Sequence, residues 1–467
     1  MKNIIPALAI GVTASLLFVG MACNKSSSSS TTTSTNNIPP DQIVTASLQG
    51  RVVDQNGLPV QGAAVTSGSA STTTDVNGIF SFTSISMSSR FGYVKVAVPG
   101  YYTGSRSIIT NPGASNFVSI QLVPLVATST FAAVSGGSVG IASGDTATFT
   151  ANEIVTASTN GSYTGTVNVF ANYLNPTDPN LYKYMPGDLR GIGSNGLETA
   201  LESYGIVAVE LQDGAGDQLQ LASGHTATLT FSIPDTLQSS APATIPLWYF
   251  NDTTGRWIQQ GTAIRMGNSY VGQVSHFTYW SVDLPVTTVN FNARLLDQYG
   301  NPLPFVHVYF TSLQSQSGFN SISSYTDSSG YTQGLLPKGE SLVMYVVTPC
   351  GNPLAGANVG PALQDQNLGN ISINVVNATL TLSGNVVNCS SGPVDSGYVN
   401  TTIDGLTYRA VVHNGTFNLP IVRCFDEPTQ VTLIAYDLIG MTSGSASTIT
   451  AGSTAGSLSA GNLSACH

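Results

Sequence analysis

The chain has 467 residues, of which only 8% are charged, and its formal net charge is −10. Ordinary globular chains carry about 25% charged residues, so this composition, rich in Gly, Ser, Thr, Asn and Val, is typical of exported β-proteins with many turns. The 14 Lys and Arg residues are scattered along the chain. They form no basic cluster, which excludes nucleic acid as an expected partner. The length predicts several domains.

The first 23 residues have the pattern of an export signal. Lys2 precedes an apolar run, and small residues stand directly before Cys23. A positive start, an apolar centre and small residues at the cleavage point are typical of a signal peptide. An uncleaved membrane helix is the alternative, because the apolar run is close to the length that spans a bilayer.

The same segment resembles the lipoprotein signals of Bacteroidota-type bacteria, which implies cleavage before Cys23 and lipidation of its thiol. The Ser/Thr-rich residues 24–44 follow, with too few apolar side chains to fold, and are predicted to be a flexible linker. We therefore expect a protein anchored by lipid to the outer membrane, on its periplasmic face or at the cell surface, with the membrane as its first partner.

A short turn motif recurs in the chain. Asp54-Gln55-Asn56-Gly57-Leu58-Pro59 returns at residues 297–302, and a second Asp-x-x-Gly marker follows each copy, at Asp75 and Asp327. In such turns the Asp side chain accepts backbone hydrogen bonds, Gly takes a positive φ and Pro fixes φ at the start of the next strand. Two markers that recur in the same order predict a duplicated β-domain.

A fainter third copy begins at Asn388, with Asn414-Gly415 as its second marker, and the second copy carries an inserted Ser/Gln-rich stretch near residues 312–321. The predicted fold class is all-β: a multidomain chain of prealbumin-like or Ig-like β-sandwiches, with one short helix in the middle domain. The predicted order is signal peptide and lipidated Cys (1–23), linker (24–44), first sandwich (45–124), β-rich middle module (125–285), second sandwich (286–376) and third, disulfide-containing sandwich (377–467).

The first segment resembles the carboxypeptidase regulatory-like domain in its strand-like runs, such as residues 46–53 and 78–82, and in its paired turn markers. This resemblance implies a prealbumin-like sandwich that serves as a spacer or binding module. The zinc peptidase that gives the family its name uses His-x-x-Glu, and no His of this chain has Glu three residues later. The resemblance therefore does not imply a peptidase.

The middle module contains one predicted helix. Asn195 is a potential N-cap, Glu198 stands three residues later and Gly205 is a stop signal. Residues 185–189 and the tryptophan-rich stretch 248–280 resemble the ectodomain of cartilage intermediate layer protein. That resemblance implies an extracellular β-rich module without known catalysis.

Four cysteines remain once Cys23 is lipidated: Cys350, Cys389, Cys424 and Cys466. An even number in an exported chain predicts two disulfides, and sequence alone leaves three connectivities open. We favour a Cys389–Cys424 pair because both residues fall in the third copy. A zinc site is the alternative, but no Cys-x-x-Cys pair supplies close ligands.

Other residues have the types that chemistry requires. Residues 136–140 match Gly-x-Ser-x-Gly, but a nucleophile elbow needs a helix after the turn and a strand is predicted there. Ser275, His276 and Asp283 include triad residue types, although nothing places a nucleophile beside them. The Asp residues of the turn markers are hard-cation ligands, yet Ca²⁺ sites cluster several carboxylates in one loop, so turn capping is favoured.

The aromatic residues Trp248, Trp257 and Trp280 are the weak candidates for stacking on a sugar, with a core position as the alternative. We expect no enzyme, no cofactor and no metal. The predicted function is a non-catalytic cell-envelope lipoprotein that presents β-sandwich modules for binding or adhesion, with a glycan or an envelope protein as partner. The alternative is a glycan-binding lipoprotein of a polysaccharide uptake system.

Overall fold

Strands form nearly all of the regular structure, as the composition predicts. The computed structural model describes residues 40–141, 144–313, 324–351, 353–375 and 379–467. The predicted export signal, its lipidation site Cys23 and the linker up to residue 39 lie outside the described residues, as do residues 314–323 of the predicted insertion. Residues 37–467 make up one compact unit.

The first seven strands form a sandwich of two sheets, ordered β4-β1-β7 and β3-β2-β5-β6. Side chains alternate along β1, so Leu48 and Val52 are buried between the sheets while Gln49 and Arg51 lie on the opposite face. The strands are β1 (Ile43–Val53), β2 (Ala64–Ser67), β3 (Ala70–Thr73), β4 (Ile79–Ser88), β5 (Gly92–Ala97), β6 (Gly104–Ile108) and β7 (Ser115–Gln121).

The middle of the chain forms a large sheet around one long strand, which pairs with four others. Its elements are β8 (Ala127–Ala132), β9 (Gly137–Gly140), β10 (Thr146–Phe149), β11 (Ile154–Thr156), β12 (Thr166–Leu174), the one-turn helix α1 (Leu181–Tyr184), β13 (Arg190–Ile192), the long strand β14 (Glu198–Gln212), β15 (Gln218–Leu221), β16 (Ala227–Ser232), β17 (Thr244–Asn251), β18 (Arg256–Met266), β19 (Ser269–Val274) and β20 (Tyr279–Val286).

The helix predicted from Asn195 is wrong, because its residues form β14. Asn195 does act as a cap, but of the tight turn that leads into β14: its Oδ1 accepts a hydrogen bond from Leu197 N at 3.0 Å. Gly196 in that turn has a φ of +76°. Strand β14 is buried on both faces along most of its length, and such a strand carries apolar residues continuously instead of alternating. The one α-helix of the middle segment among the described residues is α1, and a short 3-10 helix spans Asp235–Leu237.

The next segment repeats the pairing of the first one strand for strand. Its sheets are β24-β21-β27 and β23-β22-β25-β26, and in both copies the first strand pairs antiparallel with the fourth and parallel with the seventh. The strands are β21 (Thr288–Asp297), β22 (His307–Ser312), β23 (Ser324–Tyr325), β24 (Tyr331–Pro337), β25 (Leu342–Val347), β26 (Pro353–Val359) and β27 (Gln366–Ile373).

The last segment has the same pairing again. Its first strand pairs with β31 and β35, while β30, β29, β32 and β34 lie in the order of β3-β2-β5-β6. One backbone pair between β30 and β31 joins the two layers into a single sheet. The strands are β28 (Thr379–Val387), β29 (Ser396–Ile403), β30 (Leu406–His413), β31 (Thr416–Val422), β32 (Thr429–Asp437), β33 (Thr442–Ser443), β34 (Ser447–Ala451) and β35 (Gly456–Ser464).

The turn markers have the hydrogen bonds that the sequence predicts. Asp54 Oδ1 accepts from the backbone of Asn56 and Leu58, both at 2.8 Å, and Asp297 Oδ1 accepts at the same two positions of its own turn. In the third copy the Asn388 side-chain oxygen makes the equivalent pair of bonds. Each motif closes with an isolated bridge to its Pro. Ser391, with a φ of +60°, occupies the position that Gly57 holds in the first copy.

Three of the four turn aspartates also join different segments of the chain. While Oδ1 caps the turn, Oδ2 of Asp75 accepts from Arg409 at 2.7 Å and from Asn400 at 2.8 Å. In the same way, Oδ2 of Asp327 accepts from Asn111, and Oδ2 of Asp297 accepts from Thr379. The repeated carboxylates therefore connect the first segment to the second and third, and the second to the third.

A buried charge cluster joins the first segment to the middle one. Arg90 makes two hydrogen bonds to Glu198, at 2.8 and 3.1 Å, and Arg190 pairs with Asp188 at 2.6 Å. Arg190 also donates to the carbonyl of Arg90 at 2.6 Å. Removing one partner of such a buried network leaves an uncompensated charge, so separating the two segments here is unfavourable.

Both predicted disulfides are present, but the favoured pairing was wrong. The bonds join Cys350 to Cys424 and Cys389 to Cys466. Cys389 comes directly after Asn388, the capping residue of the third turn motif, at the end of β28. Strand β35 runs parallel to β28, so the residues after β35, including Cys466, lie beside Cys389. Cys424 follows β31 and reaches across to the second sandwich. The first bond therefore links two sandwiches and the second closes one.

Two glycines of the first sandwich provide a test of the turn geometry. Gly57 and Gly78 have φ values of +80° and +70°, but a Cβ would be unobstructed at Gly57 and only 2.3 Å from the Val52 carbonyl oxygen at Gly78. We expect Gly57→Ala to lower the free energy of unfolding by about 1–2 kcal/mol, the cost of a left-handed alanine. Gly78→Ala should cost more, because its Cβ also overlaps the backbone. Urea unfolding of both variants measures this, and equal losses would contradict it.

Candidate binding site

The structure places the three candidate tryptophans in the core. Trp248, Trp257 and Trp280 have no exposed surface, and each indole N–H donates to a backbone carbonyl, at 3.1, 2.9 and 2.9 Å. A sugar can stack only on an exposed ring face. The weak assignment of these residues to binding is therefore replaced by the alternative, a core position.

The residues with catalytic side-chain types do not assemble into a triad. Ser275 Oγ lies 3.2 Å from His276 Nδ1, but the buried Asp283 carboxylate accepts from Ser281 instead. Residues 137–140 of the Gly-x-Ser-x-Gly match form strand β9, where Ser138 lies beside Thr148 of β10. Within the described parts of the chain, no group of three or more His, Cys, Asp or Glu side chains is arranged to hold a metal ion.

A cavity of about 650 Å³ lies where the four segments meet. Ligand sites for small molecules typically have volumes of about 300–1,000 Å³. Its walls are the outer face of the β4-β1-β7 sheet, helix α1 with the turn before it, the ends of β22, β23 and β25, and the start of β30. No single sandwich contains this site.

Strand register explains how the first sandwich contributes its wall. In the parallel pair of β1 and β7, Gln49 lies beside Phe117, Arg51 beside Ser119 and Val53 beside Gln121. These residues alternate with the buried ones, so all of them project from the outer face. In an isolated sandwich this face would be exposed to solvent, whereas here the other segments cover it and leave the cavity.

Aromatic side chains make the contacts between segments around the cavity. Phe117 of β7 packs against Phe305 and Tyr325 of the second sandwich, with ring centroids 5.1 and 5.3 Å apart. Tyr182 of α1 stacks on His307 of β22, with centroids 3.6 Å apart and planes 7° from parallel. These rings attach the first and middle segments to the second sandwich and form part of the cavity wall.

His307 is the most unusual polar residue of the wall. Its side chain is 3% exposed, and neither ring nitrogen has a hydrogen-bond partner among the described residues. Burial, together with the nearby positive charges of Lys183 and Arg106, lowers the pKa of His307 to about 3. The imidazole is therefore neutral at physiological pH and offers one donor and one acceptor.

Sequence reasoning missed this site because its residues come from segments far apart in the chain. Gln49, Tyr182, His307 and Tyr408 belong to four different segments. The one signal available was the polar, alternating outer face of β1, which by itself is typical of a solvent-exposed strand.

Comparison with known proteins gives no family. No protein-family model and no curated protein matches the chain. Among solved structures, the shaft pilin SpaA from Lactobacillus rhamnosus GG aligns at 11% identity and a TM-score of 0.19, covering 38% of this chain and 98% of the pilin. The Bacillus anthracis TIE protein aligns at 10% identity and a TM-score of 0.16, covering 92% of this chain and 67% of that protein. Similarity at this level carries no functional assignment.

The minor pilin GBS52 of Streptococcus agalactiae aligns similarly, at 8% identity and a TM-score of 0.17, over 38% of this chain and 97% of the pilin. Among the described residues, no helix has the length and apolar character needed to cross a membrane.

The buried Asp283 gives a prediction on pH. Burial raises the pKa of its carboxyl from 3.8 to about 7. Because the folded-state value is the higher one, the protonated carboxyl stabilises the fold fully below about pH 4, and this contribution is lost as pH rises through 7. Asp283→Asn should therefore be more stable than wild type above pH 8, by at most on the order of 4 kcal/mol.

Urea unfolding between pH 5 and 9 checks this. The free energy of unfolding of Asp283→Asn should still fall with pH, but less steeply than that of wild type. The remaining slope comes from Asp145, because burial raises the pKa of its carboxyl to about 6. The exposed Asp217, changed to Asn, is the control and should keep the wild-type slope. A wild-type pH dependence in Asp283→Asn would show that Asp283 titrates normally.

Proposed function

We propose that the protein is a non-catalytic cell-envelope lipoprotein whose β-sandwiches are held together so that the cavity at their junction binds a ligand. The junction cavity is the observation that carries this proposal. It has the volume of a ligand site, and its walls contain aromatic rings from all four segments and side-chain amides from the first and middle ones.

The contacts between segments support a binding function. Several contacts each join one segment to another: the turn carboxylates, the Arg90–Glu198 ion pair, the hydrogen bond from Arg190 to the Arg90 carbonyl and the Cys350–Cys424 disulfide. A cavity between modules keeps its shape only if the modules do not move relative to one another. Preformed sites of this kind bind without the entropy loss of ordering their own residues.

A glycan is the ligand class that the wall favours, in line with the alternative of a polysaccharide uptake system. The wall offers aromatic surface from Tyr182, Tyr184 and Tyr408. It also offers side-chain amides, which both donate and accept hydrogen bonds, from Gln49, Gln55, Gln121 and Asn180. Sugar rings present apolar faces and hydroxyl edges, which match these two kinds of side chain. Adhesion to an envelope protein is the other binding function that the display of sandwiches would serve.

The membrane anchor is the second part of the proposal. Cys23 would carry the lipid, and the linker after it would hold the sandwiches away from the outer membrane. Cys23→Ala should abolish incorporation of a palmitate analogue, because no acceptor thiol remains at the cleavage point. Ser26→Ala in the linker is the control and should label like wild type. Label retained in Cys23→Ala would remove the lipoprotein assignment, and protease treatment of intact cells would distinguish the two membrane faces.

The cavity itself is tested by filling it. Gln121 projects from the end of β7 into the cavity wall, so Gln121→Trp adds bulk without changing the core. We expect the full-length protein to bind components of a glycan array and Gln121→Trp to lose at least tenfold in affinity. Gln273→Trp, on the exposed face of β19, is the matched control. Equal binding by all three proteins would place the ligand elsewhere, and conversion of a bound glycan to products would contradict a non-catalytic function.

A further inference from the structure

The charge of the junction cavity is opposite to that of the whole protein. The chain has a net charge of −10, yet the charged residues of the cavity wall are Arg51, Lys183 and Arg409 against Asp178 alone. Positive charge concentrated in a cleft of an acidic protein attracts anions to that cleft.

Two of these cations are available to a ligand. Arg409 is already paired with Asp75 at 2.7 Å and packs over the Tyr398 ring. Lys183 has no carboxylate within 4.0 Å among the described residues and lies 5.6 Å from the centre of the Tyr182 ring. Arg51 also lines the cavity and has no carboxylate within 4.0 Å in the described chain.

The single wall carboxylate does not neutralise them. Asp178 accepts from Tyr184 Oη at 2.5 Å and from the backbone N–H of Asn180 at 2.8 Å. The buried Arg106 adds to the positive potential at the cavity: after burial and the charge of Lys183, its charge also contributes to the lowered pKa of His307. It makes no ion pair within the parts of the chain that the structure describes.

The two available cations come from different walls. Arg51 projects from β1 on the sheet face, and Lys183 projects from α1. A carboxylate has two oxygens that can accept from both groups at once, and charge-assisted bonds of this kind are about twice as strong as neutral ones. Neutral hydroxyls would leave both cations without a counter-charge.

We infer that the junction cavity binds an acidic saccharide, with the carboxylate of a hexuronic acid unit between Arg51 and Lys183 and the sugar ring against the aromatic wall. The inference rests on the proposed function and adds the chemical class of the glycan. The wall amides would then hold the hydroxyl groups that distinguish one sugar from another.

Isothermal titration of the full-length protein in detergent tests this with four probes: tetragalacturonate, its neutral counterpart galactotetraose, a sulfated galactotetraose and tetraglutamate. We expect tetragalacturonate to bind at least tenfold more tightly than each of the others. Arg51→Gln and Lys183→Gln should each weaken its binding about tenfold, since each removes one charge-assisted contact. Lys95→Gln makes the same charge change on β5, outside the cavity, and should bind like wild type.

Each possible result tests whether the ligand is an acidic saccharide. Equal affinity for galactotetraose would overturn the inference and leave glycan binding in the cavity intact. Tighter binding of the sulfated probe or of tetraglutamate would overturn it in favour of another anion. If no probe binds, the inference fails, while the array signal of Gln121→Trp separately decides the proposed function. Lys183 lies on a partly exposed one-turn helix, so its variant remains informative if Arg51→Gln is unstable.

Discussion

The two oxygens of the turn aspartates are the constraint on which the arrangement of segments depends. One oxygen of Asp75, Asp297 and Asp327 caps the local turn, and the other accepts a hydrogen bond from a different segment. A carboxylate is suited to this because it accepts several bonds and donates none. The same residues that reverse the chain within a sandwich therefore also connect the sandwiches to one another.

The junction cavity is a consequence of that assembly. Outer faces of sandwich sheets normally meet water, but the β4-β1-β7 face is covered by α1 and by two neighbouring sandwiches. The elements that cover this face do not fill all the space above it, and the gap is lined by polar residues of the face. In an isolated sandwich Arg51 and Gln49 would face solvent, whereas in the assembled chain the same positions of β1 line the cavity.

The errors made from the sequence share one cause. Asn195 and Glu198 have the spacing of a helix start, yet β14 pairs with strands on both sides, and this pairing overrides the local signal. The Cys389–Cys466 bond depends on the return of the chain after β35, and the Cys350–Cys424 bond depends on the approach of β31 to the second sandwich. Neither approach can be read from neighbouring residues in the sequence. The tryptophans look like binding residues by type, but their burial depends on sheets formed by distant strands.

The sequence by itself determined the all-β class, the repeated turns, the four cysteines that pair and most strands of the duplicated units. These features depend on contacts within a few residues: Asp to its own turn, Gly at positive φ and alternation along a strand. The tertiary structure alone decided the pairing of cysteines, the burial of the tryptophans, the contacts that three of the turn aspartates make with other segments, and the junction cavity. All of these features depend on which segments contact one another. The local sequence does not indicate these contacts for the cavity residues that the four segments supply, such as Gln49, Tyr182, His307 and Tyr408.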